Sequence, residues 1–522
     1  MQHTQRNPRP SAPAQAVAAS AAAAPRTRAH TLGWAGWAAP ILIFTLLRVP
    51  TLFEPHWYTD EAGYAVTAWL SQHGHTLYGA VWNNKPPLLF WTYGLVLALA
   101  GPSEAALHLL SWLSGLAAVV VVFVILRSRQ GPVRAAVGAG LAAVVLGTPI
   151  LNGDLALPEN LLIGPSALGV LAILWADEAG ERRRWVGRTV CAGALFATAV
   201  LYQQTALDVV AAATLWLAVR RGAGAWPRVL VLLGTIAVLV AAALLPYAVR
   251  VGPGRLAFLL ATSYGGYAAS SLPPTFLNVA VRLVEAGALL GGAIVARRIA
   301  GWRLLVWIWA AACLIVATLP NRPYPHLGLP AAAPLAVLLA SVVRPRRPRW
   351  LSPARLGEGL LAVAVLLPVG IGWSLLSPPG AFYSLPLTGV YYQNFIGRLT
   401  GAVSPARFRA AFGQENDAEA VAARWLRDQG LAGASAVVWS ADAWIDLLAP
   451  LRPQLVTPTI YMNEYWLGAA GVLDRVDRGR PRVIVTDRSA LRLWPGVRPI
   501  LARSYRAAFA TGSVTVWVRR SG

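Results

Sequence analysis

The sequence predicts a mainly α-helical protein that crosses a membrane about eleven times and ends in a small extracytoplasmic α/β domain. Hydrophobic residues make up 56% of its 522 residues and charged residues only 13%, and the mean hydropathy is +0.53. Such a composition suits a chain surrounded by lipid. Up to about residue 376, arginines occur in short clusters between long apolar runs. Beyond about residue 381 the long apolar runs are replaced by charged residues and short alternating runs.

Residues 1–32 predict a disordered cytoplasmic tail, because they are rich in Ala, Pro, Gln and Ser and show no apolar periodicity. The apolar run that starts at Leu32 predicts an uncleaved first span, since no small-residue cleavage pattern follows it. Further runs have the length of a bilayer core. They lie at about 104–126, 135–151, 160–176, 188–202, 205–219, 229–249, 276–296, 303–319, 327–343 and 357–376.

The positions of the arginines predict the orientation of these spans. With the N-terminus inside, the loops that contain the arginine clusters, such as 127–134 and 182–188, all become cytoplasmic. If the apolar run 86–100 crossed the membrane completely, arginine-rich and arginine-poor loops would no longer alternate between the two sides. We therefore place it in the first extracytoplasmic loop, 51–103, as a juxtamembrane or re-entrant helix. The transmembrane part is then 33–376, in a multi-pass protein of the plasma membrane.

Residues 381–522 predict a small α/β domain outside the membrane. The segments 435–439, 453–457, 482–487 and 514–520 have the short, β-branched character of strands. The stretch 418–430 has a helical pattern and ends on a glycine, which is typical of a helix C-terminus.

Charge and cysteine content exclude two classes of protein. The formal net charge of +23 comes from arginines dispersed between apolar runs, which predicts cytoplasmic loops and no nucleic-acid partner. Cys191 and Cys313 both lie in apolar runs, so we expect neither a disulfide nor a metal site from them. His73 and His75 lack a third ligand in the sequence, and no metal site is predicted there.

The first outer loop contains the strongest candidates for chemistry. Asp60 and Glu61 are adjacent acids at the start of a helical pattern, where Asp60 and Tyr64 share a face and Glu61 points elsewhere. Lys85 is the only lysine beside 44 arginines. An ammonium differs chemically from a guanidinium, so we interpret Lys85 as a counter-charge for a phosphate, with an interfacial, solvated lysine as the alternative.

Two later outer loops contain further candidates. Asp154 and Glu159 form a second acidic patch on the same side as Asp60, although a solvated loop explains them equally well. Arg322 and His326 lie at the mouth of a span, and Arg322 suits a phosphate. The sequence identifies no cofactor, and it leaves open whether a divalent metal assists.

Several motifs resemble the GT-C membrane glycosyltransferases, specifically the protein O-mannosyltransferases and the aminoarabinose lipid A transferases. They are TDEAGYA (59–65), LYGAVWNNKPPLLFWTYGLVLALAG (77–101), LPEN (157–160), QQTAL (203–207) and RPYPHLGLPAAAPLA (322–336). The resemblance implies the GT-C architecture over 33–376. It also implies inverting transfer of a sugar from a polyprenyl phosphate to a hydroxyl outside the membrane.

The resemblance also implies residue roles. Asp60 matches the family's general base and Glu61 its neighbour, Lys85 matches a lysine suited to the donor phosphate, and Asp154 or Glu159 matches the second-loop acid. Relatives often have a lysine at the position of Gln203, so a phosphate contact there is in doubt.

The sequence leaves two other functions open. One is a transporter or flippase for a lipid-linked sugar, which would predict broken helices at mid-membrane and an inverted repeat, neither of which is evident. The other is a catalytically inactive accessory protein that binds glycans. The expected partners are the lipid bilayer, a polyprenyl-phosphate sugar and an unidentified hydroxyl acceptor.

Overall fold

The fold is described from a computed structural model, in residues 26–263, 301–318, 324–342 and 385–520. In the membrane part the helices are α1 Arg26–Arg48, α2 Thr59–Gln72, α3 Pro87–Ala100, α4 Glu104–Gln130, α5 Pro132–Gly147, α6 Pro158–Glu178, α7 Arg182–Tyr202, α8 Leu207–Arg221, α9 Trp226–Val251, α10 Pro253–Ala257, α11 Trp302–Thr318 and α12 Ala332–Val342. Five helical stretches of the described ranges are long and apolar enough to cross a membrane. The last of these contains both α8 and α9.

The membrane helices pack into one apolar bundle. Its core consists of small, branched and aromatic side chains from α1, α4 to α9, α11 and α12. Prolines start several helices: Pro87, Pro132 and Pro158 occupy the first turn of α3, α5 and α6, where the missing N–H needs no partner. Ser103 caps α4 by accepting from the amide of Ala106.

The predicted membrane architecture is confirmed, with differences in detail. The run 86–100 forms the 14-residue helix α3, which is shorter than the spanning helices around it. The run 327–343 starts as a 3₁₀ turn, Pro325–Ala331, because its prolines prevent a regular α-helix before Ala332. The predicted spans 276–296 and 357–376 lie outside the described residues. The number of spans and their orientation stay predictions.

The C-terminal part is an α/β unit, as predicted. Its helices are α13 Leu385–Leu399, α14 Pro405–Ala410, α15 Gln414–Asp428, α16 Trp444–Leu448, α17 Ile460–Gly479, α18 Arg488–Leu493 and α19 Arg498–Ser504, and its strands are β1 Ser435–Trp439, β2 Arg452–Pro453, β3 Val483–Asp487, β4 Tyr505–Thr511 and β5 Val514–Arg519. The strand order is β2-β1-β3-β5-β4. Strands β2, β1 and β3 are parallel to one another, and β5 is antiparallel to both β3 and β4.

Both faces of this sheet are buried. In β1, Ala436 and Val438 pack with α15 and α16 on one face, while Val437 and Trp439 pack with α17 to α19 on the other. The period of two along a strand produces this division. The domain therefore has three layers, with helices on either side of the sheet.

One strand prediction in this domain was wrong, and one strand was missed. The segment 453–457 was predicted as a strand, but only Arg452 and Pro453 pair with β1. The amide of Gln454 still donates to the carbonyl of Ala436, and the chain then leaves the strand, with the carbonyl of Val456 accepting from the amide of Trp82 in the membrane part. Strand β4 was not predicted, because its apolar alternation is weak and a register shift between Ala507 and Phe509 interrupts it.

Candidate active site

A cavity of about 420 Å³ lies between the membrane part and the α/β domain. The membrane side contributes residues from α2, the loop before α3, the start of α6, the end of α7 and the segment 324–327. The α/β domain contributes the loop before α17, the first turns of α17 and Trp494. The site is therefore formed by both parts of the chain.

Asp60 lies in the first turn of α2 and lines the cavity. Its Oδ1 accepts a hydrogen bond of 3.1 Å from the hydroxyl of Tyr461 in α17. Burial raises the pKa of the Asp60 carboxyl, and the nearby positive charges of His326 and Lys85 oppose this shift. A raised pKa makes the ionised carboxylate a better proton acceptor.

Lys85 lies in the loop between α2 and α3 and lines the cavity with Asn83 and Asn84. The loop is fixed on both sides of the lysine. The Tyr78 hydroxyl donates to the carbonyl of Lys85 at 2.7 Å, and the amide of Lys85 donates to Asn83 Oδ1 at 3.1 Å. The ammonium therefore extends from a rigid backbone into the space that Asp60 also faces.

Glu159 and Gln203 line the same cavity as a hydrogen-bonded pair. Gln203 Nε2 donates to Glu159 Oε1 at 2.7 Å, and both side chains are buried. Gln203 Oε1 has no partner among the described residues. An amide oxygen only accepts hydrogen bonds, and this one is closed off from solvent, so it offers no contact to a phosphate.

His326 lines the cavity beside Tyr324, with their rings stacked at a centroid distance of 5.4 Å. Within the described part of the chain its Nδ1 has no hydrogen-bond partner although the residue is buried. Arg322, the other predicted phosphate ligand of this segment, lies outside the described residues.

Two predicted acids do not line the cavity. Glu61 is fully buried behind Asp60, because successive helical side chains point in different directions. It accepts hydrogen bonds from the amide of Ala156 at 2.5 Å and pairs with His108 Nε2 at 3.2 Å. Asp154 is also fully buried, and burial raises its pKa to about 6. The structure thus separates Glu61 and Asp154 from Asp60 and Glu159.

The sequence prediction missed the contribution of the α/β domain. The cavity residues from this domain lie in or near the first turns of α17: Thr457, Thr459, Tyr461, Met462, Trp466 and Trp494. The aromatic and hydroxyl-rich stretch VTPTIYMNEYW, 456–466, was the signal available in the sequence. No group of three His, Cys, Asp or Glu side chains in the described ranges has the arrangement of a metal site.

The fold and this cavity are those of a multi-pass membrane protein with an α/β domain docked on its membrane helices. A model of the family dolichyl-phosphate-mannose-protein mannosyltransferase matches residues 84–248. The crystal structure of ArnT from Cupriavidus metallidurans bound to undecaprenyl phosphate has the same fold, with a TM-score of 0.61 at 18% identity. The match covers 92% of this chain and 98% of ArnT, so the shared fold includes the α/β domain.

The apo structure of the same ArnT gives a TM-score of 0.60 at 18% identity, with 93% of this chain and 98% of that chain covered. The oligosaccharyltransferase AglB from Archaeoglobus fulgidus matches with a TM-score of only 0.46 at 14% identity, covering 93% of this chain and 74% of AglB. A search of curated proteins finds no match. The predicted resemblance to GT-C enzymes is confirmed, and the family match indicates a glycosyltransferase.

Proposed function

We propose that the protein is an inverting glycosyltransferase that transfers a sugar from a polyprenyl phosphate to a hydroxyl acceptor on the outer face of the membrane. The observation that supports this most directly is the cavity in which Asp60 faces Lys85 and His326. A base and two groups that can bear positive charge are the side chains that this reaction requires. The ArnT structure with undecaprenyl phosphate supports the choice of donor, since that protein has the same fold.

The reaction assigns a role to each of these three side chains. Asp60 takes the proton of the acceptor hydroxyl while the acceptor oxygen attacks the anomeric carbon. The bond between that carbon and the phosphate oxygen breaks, and the electron pair leaves with the polyprenyl phosphate. Lys85 neutralises the charge that develops on the phosphate, and the imidazole of His326, which lines the same cavity, is a second group that can bear positive charge.

Glu159 and Gln203 are assigned to the sugar of the donor. Their hydrogen bond fixes the Gln203 side chain and leaves its Oε1 without a partner among the described residues. Both side chains line the cavity and neither carries a positive charge, so they suit the hydroxyl groups of the transferred sugar better than its phosphate.

The outer location follows from the arginine clusters. Placing loops such as 127–134 and 182–188 in the cytoplasm puts Lys85, Glu159 and Gln203 on the opposite side. The acceptor is then a hydroxyl of the cell envelope.

The proposal is tested by incubating the purified protein with radiolabelled polyprenyl-phosphate sugars and a membrane extract. The transfer of label from the lipid is measured for the wild type and for Asp60→Asn. Asp60→Asn keeps the size of the side chain and can still accept from Tyr461, but it cannot take a proton. We expect transfer to fall on the order of 10²- to 10⁴-fold. Asp474→Asn is the matched control, because Asp474 forms an exposed pair with Arg478 on α17 and does not line the cavity.

Transfer that survives in Asp60→Asn would remove this residue as the base. If the protein moves a lipid-linked sugar across the membrane of a vesicle without consuming it, the protein is a transporter and the proposed transferase function is wrong. If it binds glycans and shows neither activity, it is an inactive accessory protein.

A further inference from the structure

The wall that the α/β domain contributes to the cavity differs chemically from the membrane wall. The membrane wall contains Asp60, Lys85, Glu159 and His326. None of the six cavity residues from the α/β domain bears a carboxylate, an ammonium or a guanidinium group. This wall consists of two threonines, a tyrosine, a methionine and two tryptophans. It suits an uncharged molecule that has both hydroxyl groups and apolar faces.

The two indole rings in this wall are held in place through their N–H groups. Trp466 Nε1 donates to Ser263 Oγ at 2.6 Å, and its ring meets Trp82 edge to face at a centroid distance of 6.0 Å. Trp494 Nε1 donates to Glu464. Since neither ring needs to be ordered when a ligand arrives, binding avoids part of the usual entropic cost.

The backbone between the sheet and α17 is also fixed. The side-chain amide of Asn463 donates to the carbonyls of Thr457 and Thr459 at 2.7 and 2.8 Å, and its oxygen accepts from the amide of Thr457 at 3.3 Å. Asn463 is fully buried. The threonine side chains that line the cavity are therefore presented by a rigid loop.

The geometry of the proposed reaction assigns this wall to the acceptor. In an inverting displacement the attacking hydroxyl and the leaving phosphate lie on opposite sides of the anomeric carbon. Lys85 and His326, which suit the phosphate, both belong to the membrane wall. Tyr461 contacts Asp60 from the α/β domain, so the base meets the acceptor at that wall.

We propose that the acceptor is a sugar, whose ring packs on Trp466 and Trp494 while one of its hydroxyls reaches Asp60. The proposal rests on the transferase function above and names its acceptor class. The C–H groups of a sugar face carry partial positive charge and suit the negative face of an indole ring. The ring hydroxyls suit the Thr457, Thr459 and Tyr461 side chains, which can both donate and accept.

Binding of soluble, uncharged oligoglycosides to the full-length protein in detergent tests the site without any donor. We expect saturation-transfer NMR signals from the sugar ring protons. Trp466→Leu and Trp494→Leu should each weaken binding about tenfold, the equivalent of about 1.4 kcal/mol, because each removes a ring face on which the sugar packs. Trp466→Phe, which keeps a ring face, should lose less than Trp466→Leu.

Trp425→Leu is the matched control in the same domain. Trp425 stacks on Phe509 at 5.1 Å between centroids and does not line the cavity. Its variant should bind the glycosides like the wild type. Thermal unfolding of each variant identifies any that is misfolded. Absence of glycoside binding, or equal binding by Trp466→Leu and Trp494→Leu, overturns the proposal.

Transfer assays with labelled donor separate this inference from the proposed function. Glycosides, Ser/Thr peptides and long-chain alcohols are offered in parallel. Glycosylation of glycosides, with acceptor KM raised more than donor KM in Trp466→Leu, supports the sugar acceptor. Transfer only to peptides or alcohols overturns it while the transferase function stands. Glycoside binding without consumption of any donor would contradict the transferase function and leave the sugar site supported.

Discussion

The hydroxyl of Tyr461 donates a hydrogen bond to Asp60 Oδ1 at 3.1 Å across 401 residues of sequence. Asp60 lies in the first turn of α2 in the membrane part, and Tyr461 lies in the first turn of α17, the long helix of the α/β domain. A second contact lies nearby, where the amide of Trp82 donates to the carbonyl of Val456 at 2.7 Å. The α/β domain is therefore part of the candidate active site and does more than cover it.

Tyr461→Phe should slow transfer and change its pH dependence. The bond from Tyr461 lowers the pKa of Asp60, so its loss raises that pKa further. A base acts only when ionised, so activity at low pH should fall and the midpoint of the acidic limb of kcat/KM should move to higher pH. We expect the loss to be confined to this acidic limb, with kcat/KM close to that of the wild type at higher pH, where the carboxylate is ionised in both proteins.

Tyr465→Phe is the control for this pH profile. Tyr465 lies one turn further along the same helix and donates to the carbonyl of Ser263 at 3.1 Å, without contact to Asp60. Its pH profile should match that of the wild type. An unchanged midpoint in Tyr461→Phe would show that the hydrogen bond does not control the base.

Composition and periodicity were sufficient to predict most of the fold. The hydrophobic runs predicted the helices from Glu104 to Val251 within a few residues at most ends, because lipid imposes long apolar segments. The α/β domain was predicted through its buried strands β1 and β3, which are continuous apolar runs. Strand β4 was missed because its burial depends on the neighbouring strand and not on its own pattern.

The candidate site was predictable only on its membrane side. The single lysine and the acids in the outer loops indicated Asp60, Lys85 and Glu159, which the structure brings to one cavity. Tyr461 and Trp466 could not be placed there, because no local pattern encodes the docking of one domain on another. The sequence also could not decide between Asp154 and Glu159, since loop residues have no fixed period.

Glu61→Ala should destabilise the protein. Glu61 is fully buried and accepts from the amide of Ala156 and pairs with His108, so its removal leaves both groups without this partner. Buried unsatisfied groups of this kind cost about 2 to 4 kcal/mol in total. Thermal unfolding in detergent should show a clear decrease in Tm, whereas Asp60→Asn should unfold close to the wild type.

Glu181→Ala is the control for loss of a glutamate. Glu181 pairs with Arg184 on an exposed surface, where such a pair contributes little. If Glu61→Ala has the wild-type Tm but no activity, the buried acid acts in catalysis and not in holding α2 against the loop of Ala156.

Lys85→Arg should impair the reaction although the charge is kept. The backbone of Lys85 is fixed by Tyr78 and Asn83, so the longer planar guanidinium cannot shift back to the position of the ammonium. We expect about a tenfold decrease in kcat/KM for Arg and about a hundredfold decrease for Lys85→Met, based on a charge-assisted hydrogen bond to phosphate.

The single lysine allows an independent measurement. An amine-selective reagent can modify only Lys85 and the N-terminal amine. Polyprenyl phosphate should protect Lys85 from modification, with the degree of protection quantified by mass spectrometry of the peptide that contains it. A fully active Lys85→Arg, together with no protection, would assign the phosphate to other residues.

Asp446→Asn should stabilise the protein at neutral and alkaline pH. Asp446 is buried in α16, and among the described residues its Oδ1 has no hydrogen-bond partner. Burial alone raises its pKa from 3.8 to about 8. The folded state therefore retains a proton that the unfolded state has released between about pH 4 and pH 8, and stability decreases as pH rises through this interval.

The asparagine variant has no such titration, so its unfolding temperature should depend less on pH. Its advantage over the wild type should be absent near pH 4 and largest near pH 9, where the native carboxylate is buried and ionised. Thermal unfolding in detergent from pH 4 to pH 9 measures this difference. Asp428→Asn, at an exposed position that ends α15, should follow the wild-type curve. Parallel curves for Asp446→Asn and wild type would mean that the Asp446 carboxyl already ionises at its ordinary pKa in the folded protein.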